Sequence, residues 1–145
     1  MTDQASLPAA LEAWFRLLKS HSAARRQLEV ELQAEHGLTA TDYEALQLLA
    51  DAEGGALRRV DLADALSLTA SGVTRLLEGL ERDGLVCKHA CERDARVTYA
   101  VLTDAGREKL ASAGCSHVRA VRALFEERFT QEELGRLAEL LGRLP

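Results

Sequence analysis

Proline is nearly absent from this chain, with two in 145 residues, and aromatic residues make up only 4%. Together with many alanines and leucines, these shortages point to a mainly helical protein. No run of 18 apolar residues occurs, so no membrane-spanning helix is expected. The first residues lack a basic stretch leading into an apolar one, so no secretory signal is expected, and residues 1–6 are expected to be frayed. Cysteine is scarce and odd in number, at three. Without a signal peptide, that points to reduced thiols in the cytoplasm rather than to disulfides. There is no Gly-x-Ser-x-Gly, no glycine-rich phosphate loop and no His-Glu-x-x-His, and the acids read as solvent faces or helix caps. No enzyme, cofactor or resident metal is therefore expected. A basic excess is missing too, the net charge being −5. The length suits one domain over 1–145, with room for a core.

What is present centres on Val60–Leu102. Thr69 is a good N-cap residue, able to accept from an unpaired amide of a first helical turn. Val73, Leu76, Leu77 and Leu80 then repeat at helical spacing as one apolar face, with Ser71, Thr74, Arg75 and Glu78 opposite. Gly84 follows Asp83 where a left-handed residue would end the helix. Ahead of it, Leu62, Ala63 and Leu66 make a shorter amphipathic helix, with only Ser67-Leu68 between the two. This is helix-turn-helix spacing, whose second helix can lie in a DNA major groove with its polar face on the base edges. After Gly84 the period changes. Leu85–His89 reads as a strand, Cys91–Ala95 as a charged turn, and Val97–Leu102 as a returning strand with Val97, Tyr99 and Val101 on one face. The tip, Glu92-Arg93-Asp94-Ala95-Arg96, places arginines where the negative potential of a narrow minor groove would attract them. In this order the pieces predict a winged helix-turn-helix.

Several stretches then carry a likeness. Leu38-Thr39 opens a helix that runs to Leu46, Leu48 and Leu49; Asp61-Leu62-Ala63 and Val73-Thr74-Arg75-Leu76 lie in the two helices of the motif. Leu80-Glu81-Arg82-Asp83-Gly84-Leu85-Val86 follows, then Arg93-Asp94-Ala95-Arg96 and Leu102-Thr103-Asp104-Ala105-Gly106-Arg107. In these residues the chain resembles the MarR family of bacterial transcriptional regulators. The wing's Asp-x-Arg and the following Leu-Thr-x-x-Gly-Arg are the most specific part, and the likeness covers nearly the whole chain. It implies a homodimer interlocked through terminal helices, double-stranded DNA as a partner, and a small aromatic or phenolic effector of the kind family members commonly bind.

The charge is unevenly placed. Leu57–Lys109 holds nine Lys+Arg and nine Asp+Glu, so the whole −5 lies outside the reading head. A local basic edge of Arg58, Arg59, Arg75, Lys88, Arg93 and Arg96 could still engage phosphates, with weaker non-specific binding than a basic repressor shows.

From Pro8 to about Glu35 a long helix is expected, with Leu11, Trp14, Leu18, His21, Arg25, Leu28 and Leu32 forming a heptad seam. Gly37 ends it and Thr39 caps the next helix, which carries Tyr43, Leu46 and Leu49. Gly54-Gly55 is a turn, and Ala56-Leu57 could pair beside the wing. Thr103 caps another helix, with Leu110, Gly114, Val118, Val121 and Phe125 as its apolar stripe. Thr130 to Glu133 reads as a capping box, followed by Leu134, Leu137, Leu140, Leu141 and Leu144 on one broad face. Residues 7–36 and 104–145 are thus read as dimerisation helices around a winged region at 38–103. Burial within one subunit is the alternative.

Three constellations could add chemistry. Cys87, His89 and Cys91 alternate on a strand and, with Cys115 or His117, could in principle bind zinc; the spacing matches no standard module. A Cys87–Cys91 disulfide would strain the strand. Some relatives sense oxidants through a cysteine in the first long helix, where this chain has Trp14, His21 and Ser22 instead. Trp14, His21, Arg25 and Tyr43 could hold an aromatic carboxylate, or His21 and Arg25 could make intersubunit hydrogen bonds.

The expectation is a mainly α fold: a winged helix-turn-helix with long N- and C-terminal dimerisation helices and a small β-hairpin wing. DNA contacts are expected from Arg58, Arg59, Thr69, Ser71, Thr74, Arg75, Arg93, Asp94 and Arg96, with Asp94 steadying Arg96. The function expected is a homodimeric repressor released from a pseudo-palindromic operator by a small aromatic ligand. Alternatives are a thiol-based redox regulator and a protein–protein interaction module.

Overall fold

A 28-residue helix, α1 (Ala9–His36), opens the computed structural model, which describes residues 8–145. The expected fraying of residues 1–6 and the start of the first dimerisation helix at residue 7 lie outside the described residues. Gly37 ends α1 in the left-handed region, with φ of 67°, and Lys109 Nζ donates to the free carbonyl of His36 at 3.1 Å. Thr39 then starts α2 (Ala40–Asp51) through a reciprocal cap. Its hydroxyl accepts from the Asp42 amide at 3.0 Å, and its own amide donates to the Asp42 carboxylate at 2.8 Å. A 3-10 turn at Glu53–Gly55 leads into β1 (Ala56–Arg58).

The motif follows as α3 (Arg59–Ala65) and α4 (Ala70–Arg82). Between them Ser67 takes φ of 54°, a left-handed turn at a residue that is not glycine. Gly84, at φ of 74°, then turns the chain from α4 into β2 (Val86–Ala90), which pairs antiparallel with β3 (Thr98–Leu102). β1 adds to the other edge of β3, so the wing is a three-stranded sheet in the order β1-β3-β2. The long α5 (Asp104–Glu126) and α6 (Gln131–Leu141) complete the chain, each started by the expected threonine, Thr103 and Thr130.

The core lies where α2, α3, α4 and the sheet meet. Leu46, Leu49 and Leu62 are wholly buried, and Val73, Leu77 and Leu80 of α4 pack with them. Leu32 and Leu38 bring the end of α1 into the same cluster.

Burial within the single chain divides the expected apolar faces. On β3, Ala100 and Leu102 face the core, whereas Tyr99 and Val101 are only half-buried. On α5 the buried face is Gly106, Ala113, Ser116 and Ala120, and Val118 is 58% exposed. Gly106 packs on Leu85 and Leu102, and Ser116 meets His36 of α1 at 3.0 Å, so this face goes inward although its hydropathy is weak. Of the α1 seam only Leu32 is buried, while Leu11, Trp14 and Leu18 are exposed in the single chain. No residue of α6 is buried.

Candidate nucleic-acid interface

The orientation of α4 follows from its burial. With Val73, Leu77 and Leu80 in the core, Ser71, Arg75 and Glu78 are exposed. Thr69 is occupied by structure: its hydroxyl accepts the Gly72 amide at 3.1 Å and lies 3.2 Å from the Ser71 hydroxyl. Thr74 is half-buried, donating to the Ala70 carbonyl at 2.7 Å and accepting from the Arg59 guanidinium. Arg59 also donates to the Ala70 carbonyl at 3.3 Å, so a side chain from the start of α3 is clamped onto the first turn of α4.

Other cations of the expected basic edge carry partners. Arg58 makes a two-pronged contact with Asp61, at 2.6 and 2.8 Å, and the bond and charge of that acid raise the guanidinium's pKa further. Lys88 of β2 pairs with Glu81 of α4 at 3.2 Å, joining wing to helix. In the wing tip Asp94 accepts from the Arg96 backbone amide at 3.0 Å and from its Nε at 3.2 Å. The amide first and the guanidinium second hold the Asp94 carboxyl below its ordinary range. Arg75 and Arg93 are exposed and have no hydrogen-bond or ion-pair partner among the described residues. Arg58 was expected as a free cation, and its i, i+3 spacing from Asp61 is the signal that could have revealed the pair; Glu81 and Lys88 belong to different elements, and no spacing links them.

The expected effector residues do not meet within one subunit. Arg25 is joined to Glu44 through both terminal nitrogens and donates to the Thr41 hydroxyl at 2.9 Å, tying α1 to α2. A second tie runs from the Ala40 amide to Glu29 Oε2 at 3.0 Å. Tyr43 lies against the His117 ring, with centroids 4.6 Å apart, and burial pushes its phenol above the ordinary pKa. Trp14 and His21 are exposed. Eleven residues separate Trp14 from Arg25, about 16 Å along the helix axis. Glu44 and Thr41 were missed in the sequence reading because their partner lies on another helix.

Among the described residues no three His, Cys, Asp or Glu side chains gather as a metal site. Cys87 is exposed and Cys91 half-buried; four residues of extended chain hold them about 13 Å apart, too far for a disulfide within the wing. No helix among the described residues is long and apolar enough to cross a membrane.

The sequence profile of the MarR family matches residues 36–97, from the end of α1 to the wing. The solved structure of AbsC, a MarR family transcriptional regulator from Streptomyces coelicolor, is 34% identical, with 93% of this chain and 91% of that one covered at a TM-score of 0.80. The chain belongs to the MarR family. A second MarR-family regulator of that organism, Sco3205, solved in complex with DNA, is 29% identical with a TM-score of 0.81 over 97% of this chain and 89% of its own. The transcriptional repressor YetL of Bacillus subtilis is 32% identical over 111 residues, which span 77% of this chain and 66% of YetL. This MarR-family chain is accordingly a DNA-binding transcriptional regulator, and its relatives are regulators rather than enzymes.

Proposed function

We propose that this MarR-family regulator is a cytoplasmic homodimeric repressor. Each subunit lays α4 in a major groove and its wing tip along the neighbouring minor groove of a pseudo-palindromic operator. The observation that carries this reading is the two-sided α4: Val73, Leu77 and Leu80 anchor one face while Ser71 and Arg75, the latter without a partner among the described residues, occupy the other. Arg59, beside the first turn of α4, and Arg93 and Arg96 at the wing tip supply phosphate and minor-groove contacts. Two subunits are needed because half-sites one helical turn apart require two heads related by a twofold axis. The test is a mobility shift of the full chain on duplexes selected from a random library, with sedimentation of the complex. Enrichment of an inverted repeat bound by two chains supports the reading; selection of no sequence overturns it.

Release is attributed, in the same proposal, to a small aromatic anion that binds along α1 on the Trp14 side, with His21 or Arg25 as its polar anchor. Because Glu44 fills the Arg25 fork, an incoming carboxylate would replace Glu44 and so loosen one tie between α1 and the head helix α2. Only such unequal binding to two head spacings can shift operator affinity, by couplings of about 1–3 kcal/mol. A compound that releases the operator should lose its effect on Arg25→Ala or His21→Ala and should alter Trp14 emission through α1. An effector acting equally on both variants and leaving Trp14 unchanged binds elsewhere.

A further inference from the structure

Thr74 lies on α4 among the residues that would meet base edges, yet its hydroxyl is not available as a donor. A threonine hydroxyl has one proton and two lone pairs. Here the proton is committed to the Ala70 carbonyl at 2.7 Å, and one lone pair accepts from Arg59. Arg59 is itself held by a second bond to the same carbonyl at 3.3 Å, so the clamp joins three groups and fixes the Thr74 rotamer. A hydroxyl so bound cannot donate to guanine O6 or N7, nor to thymine O4. What the side chain still has to offer a base edge is its γ-methyl group and one lone pair, the latter of use only toward the amine of an adenine or cytosine.

We infer that Thr74 is a specificity-determining residue that reads the 5-methyl group of a thymine by apolar contact, with Arg59 as the positioning residue that keeps its hydroxyl turned away from the groove. The inference rests on the proposed placement of α4 in the major groove. Of the four bases only thymine carries a methyl on the major-groove edge, and a threonine methyl is an apolar surface suited to it. The division of labour on α4 is then clear. Arg75, exposed and without a partner among the described residues, makes the hydrogen-bonded contact, and Thr74, the preceding residue and about 100° away around the helix, makes the apolar one.

The experiment uses the full chain and the duplex it enriches from a random library. Each thymine of that duplex is replaced in turn by deoxyuridine, which removes the 5-methyl group and nothing else. One thymine per half-site should prove sensitive, with affinity falling about fourfold per half-site, the size expected for one methyl-sized apolar contact. Thr74→Ser keeps the hydroxyl and both of its partners but has no γ-methyl. It should bind the thymine duplex about fourfold more weakly per half-site and should no longer distinguish thymine from uracil at that position. Thr74→Val keeps a γ-methyl and should retain the discrimination even though the Arg59 clamp is gone. A purely structural role for Thr74 would change affinity on both duplexes alike, so discrimination is the informative readout. Indifference of the parent to uracil at every position overturns the inference, and so does undiminished discrimination by Thr74→Ser. Arg75→Ala separates this from a failure of the underlying reading. If that variant keeps the parent's affinity and selected sequence, α4 is not in the groove and both readings fall.

Discussion

Arg75 and Arg58 differ in a way that composition cannot express. Both are exposed arginines of the reading head, yet Arg58 is locked to Asp61 while Arg75 has no acceptor among the described residues. The zero net charge of the head is therefore a mixture of closed pairs and a few open cations. Arg75→Ala should cost roughly 1–3 kcal/mol of operator binding and relax preference at one position per half-site. Arg96→Ala should instead weaken binding to all sequences and lower the salt slope by about one, as loss of a backbone contact does. Quantitative mobility shifts at several salt concentrations separate the two patterns. Asp94 supplies a pH prediction. Its folded pKa is lowered, so the tie it makes is present above the unfolded value of about 3.9 and is lost only as pH falls through the still lower folded value. The Arg96 amide resonance should accordingly hold steady from pH 8 to 5 and shift only in acid. A midpoint near neutrality would show that another group governs the turn.

At the scale of elements, glycines sort by what a methyl group would meet. A Cβ on Gly106 of α5 would lie 2.2 Å from the Leu85 carbonyl oxygen and 2.6 Å from Leu102 Cδ1. Gly106→Ala should therefore destabilise the fold by about 1–3 kcal/mol through overpacking. Gly79 of α4 has nothing within 4 Å, so Gly79→Ala should stabilise by about 0.5–1 kcal/mol through helix propensity. Urea unfolding of both variants checks the opposite signs. The same contrast explains what could be read in advance. Helix α4 was legible because Val73, Leu76, Leu77 and Leu80 are large and keep a helical period, and because Thr69 and Gly84 mark its ends. The wing was legible through its change of period and its charged tip. The inward face of α5 was not, because Gly106, Ala113, Ser116 and Ala120 are chosen for smallness and a hydropathy pattern passes over them. Nor was the closure of Arg25 by Glu44, since partners 19 residues apart on different helices leave no local spacing to find. Arg59 illustrates the middle case: it was expected beside DNA, but its bond to Thr74 needs the angle between α3 and α4.

The whole molecule poses a problem of cover. Trp14 and Phe15 of α1 are 53% and 54% exposed, and Leu140, Leu141 and Leu144 at the other end of the chain are exposed as well. The acid excess lies in these flanking parts rather than in the head, so a second copy docked there would bury apolar side chains between acidic surfaces. Assembly through these ends would remove the apolar surface from water and set the distance between two heads. Leu141→Glu tests this without truncating anything. On an isolated subunit Leu141 is an exposed position, where substitution typically changes stability by less than about 0.5 kcal/mol. In a dimer sealed by α6, the same change would place a charge in an apolar interface and separate the subunits. Sedimentation should therefore show the parent at twice the chain mass and Leu141→Glu at the chain mass, with operator binding lost alongside. Trp14, the only tryptophan, gives an independent reading at the opposite end of the chain. Its emission should move to longer wavelength when the dimer separates on dilution or in the variant. A Leu141→Glu chain that stays dimeric and binds its operator normally would place the interface away from α6.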